Sequence, residues 1–317
     1  SHNLFSVDRD ENSETFTQEL MLAFDGERLD WLVGAYFLTE NAFNDFDAYA
    51  DATSLGVAVL DGLLGNVLSD NGLFAPEIEA VNIENISDER SESIAFFADV
   101  TFELITDLRV FGGVRYLEDE KKHNFTNANT VELPGGLPPQ SQFSCQNERI
   151  VLDKTATKGR LGLQYDVSDD IMIYGQASTG YKSGGFAKGS CSNTFEPEEL
   201  TAFEIGGKST LFDGRVRLNG AAFHYDYENL QVEQVNVPVV LVNNAQAEID
   251  GAEFELTAIL FEGFELSATG TYLYARYTEF RNSDNTAAIT GAPEEDLEGN
   301  PLNRSPRFAG SVALQYD

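Results

Sequence analysis

Apolar and polar side chains alternate along most of this chain with a period of two, the signature of strands whose two faces meet different surroundings. Leu29, Trp31, Val33, Ala35 and Phe37 share one parity. Ile94, Phe96, Ala98, Val100, Phe102 and Leu104 form a second such row, with Asp99, Thr101 and Glu103 on the reverse. Val110, Gly112, Val114 and Tyr116 alternate with Arg109 and Arg115. Leu161, Leu163, Tyr165 and Val167 alternate with Lys158, Arg160, Gln164 and Asp166, and Phe254, Leu256, Ala258 and Leu260 with Glu253, Glu255 and Thr257. The rule loosens between Arg215 and Glu228, where Arg215, Arg217 and Asn219 share parity with Phe223, Tyr225 and Tyr227; a bulge could switch the faces there.

The spacing of the breaks adds a second pattern. Tight turns are predicted at 25–28, 106–107, 168–170, 212–214 and 262–263, each supplied with Gly or Asp. The other connections are long: about 41–90, 119–154, 183–198, 231–243 and 281–303. Structureless loops of that length are unusual in a compact soluble domain. They are expected in an outer-membrane barrel, which has short periplasmic turns at one end and long extracellular loops at the other. Charge confined to one face fits a wet lumen, because a charge on the lipid side costs roughly 2–4 kcal/mol at mid-bilayer. Aromatics near strand ends, such as Trp31, Tyr116, Tyr165, Tyr272 and Tyr274, suit the two lipid–water boundaries. A soluble sandwich with one buried face would share the period of two but not the asymmetric connections.

The fold class is therefore all-β, a transmembrane antiparallel up-and-down barrel. Five hairpins from about Thr15 onward and a strand at 307–316 make 11 strands. Bacterial single-chain barrels have even strand numbers and no open edge in lipid, so residues 1–317 are expected to be part of a larger barrel.

Composition sharpens this in two ways. Asp and Glu number 53 against 20 Lys and Arg, a net charge of −33, which repels nucleic-acid backbones. The 23 Phe and 12 Tyr are too many for a disordered acidic chain. His2, His123 and His224 are scattered and no C-x-x-C is present, so no metal site of the zinc type is expected. No Ser/His/Asp grouping marks a hydrolase; His224 is taken as the only histidine within a strand, with a structural role, and no enzyme activity is expected.

From Tyr174 the chain reads YGQASTGYKSGGF, then EIGGKS, DGRV, YDYENLQV, NNAQAEIDGAEFEL and finally RSPRFAGSVALQY. In that order these segments resemble the barrel of TonB-dependent outer-membrane receptors, over roughly residues 155–317. Within the resemblance Tyr174, Gly180, Tyr181, Gly184, Gly185, Phe186, Glu204 and Lys208 stand as structural residues. The glycines would permit close backbone approach, and Glu204 and Lys208, both on the polar face, could pair in the lumen. The resemblance implies a 22-stranded barrel closed by an N-terminal plug. Neither the plug nor the final strands are expected within residues 1–317. It also implies energy-coupled import of a scarce, bulky nutrient, by default a ferric siderophore, with cobalamin, oligosaccharide or peptide as other cargo. Its partners would be the lipid bilayer, lipopolysaccharide and, through the plug, a TonB-type complex. A passive porin is the alternative from another class, and a surface adhesin a weaker one.

The long connections are then where cargo would be met. Phe43, Phe46 and Tyr49 could form an aromatic platform in an extracellular loop, with Asp45 and Asp47 as cation ligands for Ca²⁺; simple loop packing is the plainer reading. An apolar stretch at 55–68 could form a short amphipathic helix. Cys145 and Cys191 fall in successive long connections, so an oxidising exterior favours a disulfide between them over two free thiols. The acidic surface disfavours an anionic cargo unless local cations such as Lys182 and Lys188 relieve it.

Overall fold

The computed structural model describes residues 5–51, 80–132, 140–187, 193–236, 239–282 and 295–316, and among these there is no helix. The strands are β1 (Phe5–Phe24), β2 (Leu29–Asp51), β3 (Ala80–Ile105), β4 (Leu108–Glu132), β5 (Gln140–Ser168) and β6 (Ile171–Lys182). The two-residue strands β7 (Gly185–Phe186) and β8 (Thr194–Phe195) follow, then β9 (Glu198–Leu211), β10 (Val216–Asn236), β11 (Val239–Phe261) and β12 (Phe264–Glu279). β13 (Arg281–Asn282), β14 (Glu295–Asp296) and β15 (Phe308–Tyr316) complete the series. Eleven of them form one antiparallel up-and-down sheet in chain order, β1 to β6, β9 to β12 and β15, while β7–β8 and β13–β14 are separate two-stranded pairs. The tight turns lie where Gly and Asp were expected to make them, with Asp107, Phe212, Asp213, Gly214 and Gly263 at positive φ.

Register converts the alternation of single strands into one continuous surface. Val33 lies opposite Leu22 and Ala98, Ala98 opposite Val114, and Leu163 opposite Val110 and Gly175. Ile205 lies opposite Gly175 and Ala222, and Leu256 opposite Leu218 and Ala268. Phe96, Leu161, Ile205 and Val312 on this face are all exposed. An apolar surface continuous across eleven strands is incompatible with water and suited to hydrocarbon. Its height can be read from β12. From Phe264 to Tyr274 the strand rises about 33 Å, which at a tilt of roughly 40° leaves about 25 Å along the normal, the height of a lipid-facing band. Aromatic pairs mark both edges: Phe24 stacks on Trp31 at 6.0 Å and Phe261 on Phe264 at 4.8 Å near the turns, and Tyr272 meets Phe308 at 5.1 Å at the far edge.

The strands run far beyond this band, which corrects the expected loop boundaries. β1 begins at Phe5 rather than near Thr15, β2 continues to Asp51, β3 starts at Ala80, and β4 and β5 pair as far as Val131 and Gln140. Above the membrane the outer face of a strand meets water instead of hydrocarbon, so the ladder continues on backbone hydrogen bonds without an outward apolar row to advertise it. The proposed helix at 55–68 lies outside the described residues.

A device invisible in the sequence recurs on the sheet: an aromatic ring lies over the glycine directly opposite it on the neighbouring strand. Phe97 covers Gly34, Phe111 covers Gly162, Tyr174 covers Gly206, Phe223 covers Gly251, and Phe254 covers Gly270. The ring restores the contacts that the missing side chain would have made. It also explains the irregular parity of β10. No shift in pairing with β9 occurs between Val216 and Glu228, so Phe223, Tyr225 and Tyr227 stay on the polar, inner face, and the only irregularity against β11 falls between Tyr227 and Leu230. The expected face-switching bulge is absent because Gly251 makes room for Phe223 on the inner face.

Candidate functional site

The aromatic and acidic residues expected in a loop stand instead on β2, above the band. Phe43, Asp45, Asp47 and Tyr49 continue the outward row of Trp31 and Val33, while Phe46 points to the other face. One platform of three rings is therefore ruled out by strand alternation. The acidic half of the expectation does converge: Asp47 lies opposite Glu84 of β3 and Asp8 of β1, and Asp45, Asp47 and Glu84 bring one carboxylate oxygen each within 4.8 Å of one another. Burial, then the neighbouring Asp45 and Asp8 charges, raises the Asp47 carboxyl above its ordinary pKa. Such a trio offers hard oxygen ligands of the kind Ca²⁺ takes, fewer than the six to eight it needs.

The inner face of the same wall is buried. Ala48, Val81, Ile83, Asn85, His123, Phe125 and Asn127 are all covered, in part by the β7–β8 hairpin, which folds inward between β6 and β9. Phe186 meets the His123 ring at 4.6 Å. Gly184 and Gly185 allow the hairpin to close: a Cβ on Gly184 would lie 3.1 Å from the Pro197 nitrogen and would collide with the Phe195 carbonyl oxygen. The Gln231 amide donates to the carbonyls of Ser183 (3.1 Å) and Glu196 (3.2 Å), holding both hairpin ends against β10. Cys145 of β5, opposite Asn127, is disulfide-bonded; Cys191 lies outside the described residues, as does Lys188.

His123 thus sits in a strand, contrary to the expectation that His224 alone does, because residues 119–132 belong to β4 rather than to a loop. Its Nε2 pairs with Ser87 Oγ at 2.9 Å, and its Nδ1 is buried without a partner among the described residues. Asp88 and Glu89 approach from β3, Ile150 lies opposite on β5 and Phe186 covers it from β7. Burial lowers the imidazole pKa and Asp88 opposes this more weakly. A base whose folded pKa is depressed loses stability as pH falls below its unfolded value of about 6.5. Amide exchange at Gly185 to Ala187 is therefore expected to accelerate several-fold between pH 7 and pH 5, after correction for intrinsic rates. In His123→Leu that acceleration should vanish; its persistence would show that the imidazole is not the group responsible.

Lower on the inner wall, polar groups are arranged row by row. Asp99, Gly113 and Arg160 lie side by side on β3, β4 and β5, and Arg160 reaches across the glycine to bind Asp99 through two bonds of 2.9 Å. Only glycine fits between them, since a Cβ at residue 113 would run into the Asp99 carboxylate. Arg109 pairs with Asp166 at 2.8 Å. Glu204 accepts hydrogen bonds from the Tyr174 hydroxyl (2.7 Å) and the Gln176 amide (3.2 Å). The expected Glu204 to Lys208 pair does not form, because four residues along a strand span about 13 Å. Lys182 approaches Glu198 at 4.0 Å. Above this region Tyr181 and Tyr36 pack on Ala95, Leu117 and Ala156. Beneath that cluster a recess of about 470 Å³ opens, bounded by Phe97, Asp99, Arg115, Lys158, Arg160 and Gly180 among others. Sequence reasoning placed these cations on the polar face, but only the register shows which acids neutralise them.

Comparisons with known proteins fit this geometry. The chain is 24% identical over 344 aligned positions to a probable TonB-dependent siderophore receptor, PiuA, of Acinetobacter baumannii, an alignment covering 99% of this chain and 42% of that protein. It is 25% identical over 205 residues to the metal-pseudopaline receptor CntO of Pseudomonas aeruginosa, 65% of this chain and 25% of the receptor. Among solved structures, the ferric yersiniabactin uptake receptor FyuA from Yersinia pestis superposes with a TM-score of 0.69 at 18% identity, over 99% of this chain and 41% of that one. The siderophore receptor PiuA superposes with a TM-score of 0.65 at 20% identity, over 97% and 44%. The chain thus spans less than half the length of these relatives. The family described as TonB dependent receptor-like, beta-barrel matches residues 2–317, and this chain belongs to it.

Proposed function

We propose that the chain is part of the barrel of an outer-membrane receptor that imports a metal–siderophore complex by energy coupling. The family match across residues 2–317 carries this reading. The cargo class is supported by relatives named as siderophore, ferric yersiniabactin and metal-pseudopaline receptors. Since β1 and β15 end the strand order and an unpaired edge is not tolerated in lipid, we place the remaining strands of a 22-stranded barrel and a plug in the rest of the protein. A TonB-type complex would act through that plug, and lipid and lipopolysaccharide would surround the wall. The role is transport rather than catalysis.

We further propose that Cys145 pairs with Cys191 and ties the inward hairpin connection to β5. A peptide map under non-reducing conditions is expected to yield one linked fragment containing both cysteines, split by reductant.

The transport reading is tested in cells lacking the gene and complemented with the intact receptor. Uptake of ⁵⁵Fe presented as siderophore complexes should depend on the gene and stop when a protonophore collapses the inner-membrane potential. Uptake that survives the protonophore would indicate a passive channel instead.

A further inference from the structure

We propose that the upper edge of β5, from Arg149 to Thr157, docks an extended polypeptide strand from outside the cell, one with a base opposite Asp153 and an acid opposite Arg149. On one side β5 is paired with β4 from Tyr165 up to Gln140. On the other, β6 pairs only with Arg160 to Ser168 and ends at Lys182, where the chain turns inward to the β7–β8 hairpin. Among the described residues no strand takes over the ladder above that point. Two residues show which backbone groups are left over. Asp166 N–H donates toward β4, to the Asp107 carbonyl at 2.8 Å. Gly159 turns its N–H and its carbonyl to the β6 side, where they meet the Thr179 hydroxyl at 2.9 and 3.4 Å. Backbone direction alternates along a strand, and the β4–β5 register is unbroken from Tyr165 to Glu148. Thr157, Thr155, Asp153, Val151 and Arg149 therefore aim their N–H and C=O groups at the open side, and all five residues are exposed.

The chemistry of this edge selects a polypeptide. Donors and acceptors repeat about every 6.7 Å along about 26 Å of strand, a spacing that another extended backbone matches and a small nutrient does not. The devices that usually blunt an edge are missing. No proline interrupts β5, and no bulge falls between Arg149 and Arg160. The inward lysines are already engaged, Lys154 by Glu196 at 2.7 Å and Lys158 by Glu199 at 2.5 Å. Asp153 and Arg149 on the outward row have no ion pair among the described residues. Opposite charges attract across adjacent strands, so these two residues set the direction and register of the guest. Ile150 and Leu152, half-buried on the lumen side with the parity of Ala156, offer its inward residues apolar surface. A second copy of the chain does not fit. In one membrane both β5 strands run toward the periplasm, and two tilts of roughly 40° make their edges cross at about 80°.

This docking neither needs nor tests the transport reading. The probe is a fluorescein-labelled peptide, Thr-Val-Thr-Thr-Lys-Val-Thr-Val-Glu, which in antiparallel register sets its Lys against Asp153 and its Glu against Arg149. Anisotropy with the intact receptor in detergent is expected to show saturable binding. Residue-resolved hydrogen exchange should find the amides of the five outward residues unprotected in the free receptor and slowed at least tenfold at saturation, with the alternate amides that bond to β4 slow throughout. Asp153→Pro removes an N–H from the open side and spares the β4 ladder, so this variant, shown to be folded by heat-modifiable gel migration, should bind at least tenfold more weakly. Asp153→Lys leaves the backbone unchanged; it should weaken binding too, and recover it for a peptide with Glu in place of Lys. No saturable binding to the native receptor, or undiminished binding in both variants, would overturn the proposal. So would protection of the five amides in the free receptor, because a segment of the protein itself would then complete the edge.

Discussion

Replacing Leu163 with arginine is expected to cost about 2–4 kcal/mol of folding stability in a lipid bilayer, whereas the same change at the adjacent Gln164 should cost little. Leu163 lies in the middle of the outward row, between Val110 and Gly175, and is 52% exposed although fully apolar. Gln164 faces the reverse side beside Asp166, its amide donating to that carboxylate at 3.2 Å. In a soluble sheet the exposed Leu163 would accept arginine with an effect as small as that at the half-buried Gln164. Denaturant titration into phospholipid vesicles, read by heat-modifiable migration, separates the cases. Equal tolerance at 163 and 164 would contradict a lipid-facing surface.

A second large effect is expected at the ring-covered glycines. A Cβ on Gly162 would lie 2.8 Å from the carbonyl oxygen of Gly175 and collide with the Phe111 ring. The ring can swing but the strand backbone cannot, so Gly162→Leu should destabilise by about 1–3 kcal/mol or more, the usual cost of overpacking. It would also remove the surface on which Arg160 rests, 5.5 Å above the Phe111 ring, and so loosen the bridge to Asp99. At Gly220 the nearest atom is the Glu253 carbonyl oxygen at 3.4 Å, ordinary contact. Gly220→Ala should therefore stay within about 0.5 kcal/mol of the parent. The same vesicle titration measures both, and indistinguishable behaviour would mean that ring coverage has no energetic role.

These two positions also show why different parts of the molecule differ in legibility. Leu163 could be assigned to an outer face from its neighbours alone, because a period of two is a property of one strand. Gly162 could not be distinguished from Gly220, since both are glycines inside alternating strands. Each has a phenylalanine directly opposite, Phe111 for Gly162 and Phe254 for Gly220; what separates them is that the Phe111 ring lies over Gly162, whereas the Phe254 ring lies over Gly270 on its other neighbour. The same holds at the candidate sites. Asp45 and Asp47 were recognisable as a close acidic pair, but Glu84 joins them only through the β2–β3 register. His123, Asn85 and Asn127 were hidden in two segments assigned to loops, because polar residues on both faces of an extramembrane strand erase the alternation.

The order of side chains along the chain by itself determined the all-β class, the turns and the face that lipid would cover, because each depends on local periodicity and on the conformational preferences of Gly and Asp. Tertiary structure alone decided how far the strands run past the membrane, where the β7–β8 hairpin folds, and which cations of the inner wall find an acid. Those outcomes depend on pairing between residues tens of positions apart, as between Asp99 and Arg160, and a one-residue slip in register would exchange every partner.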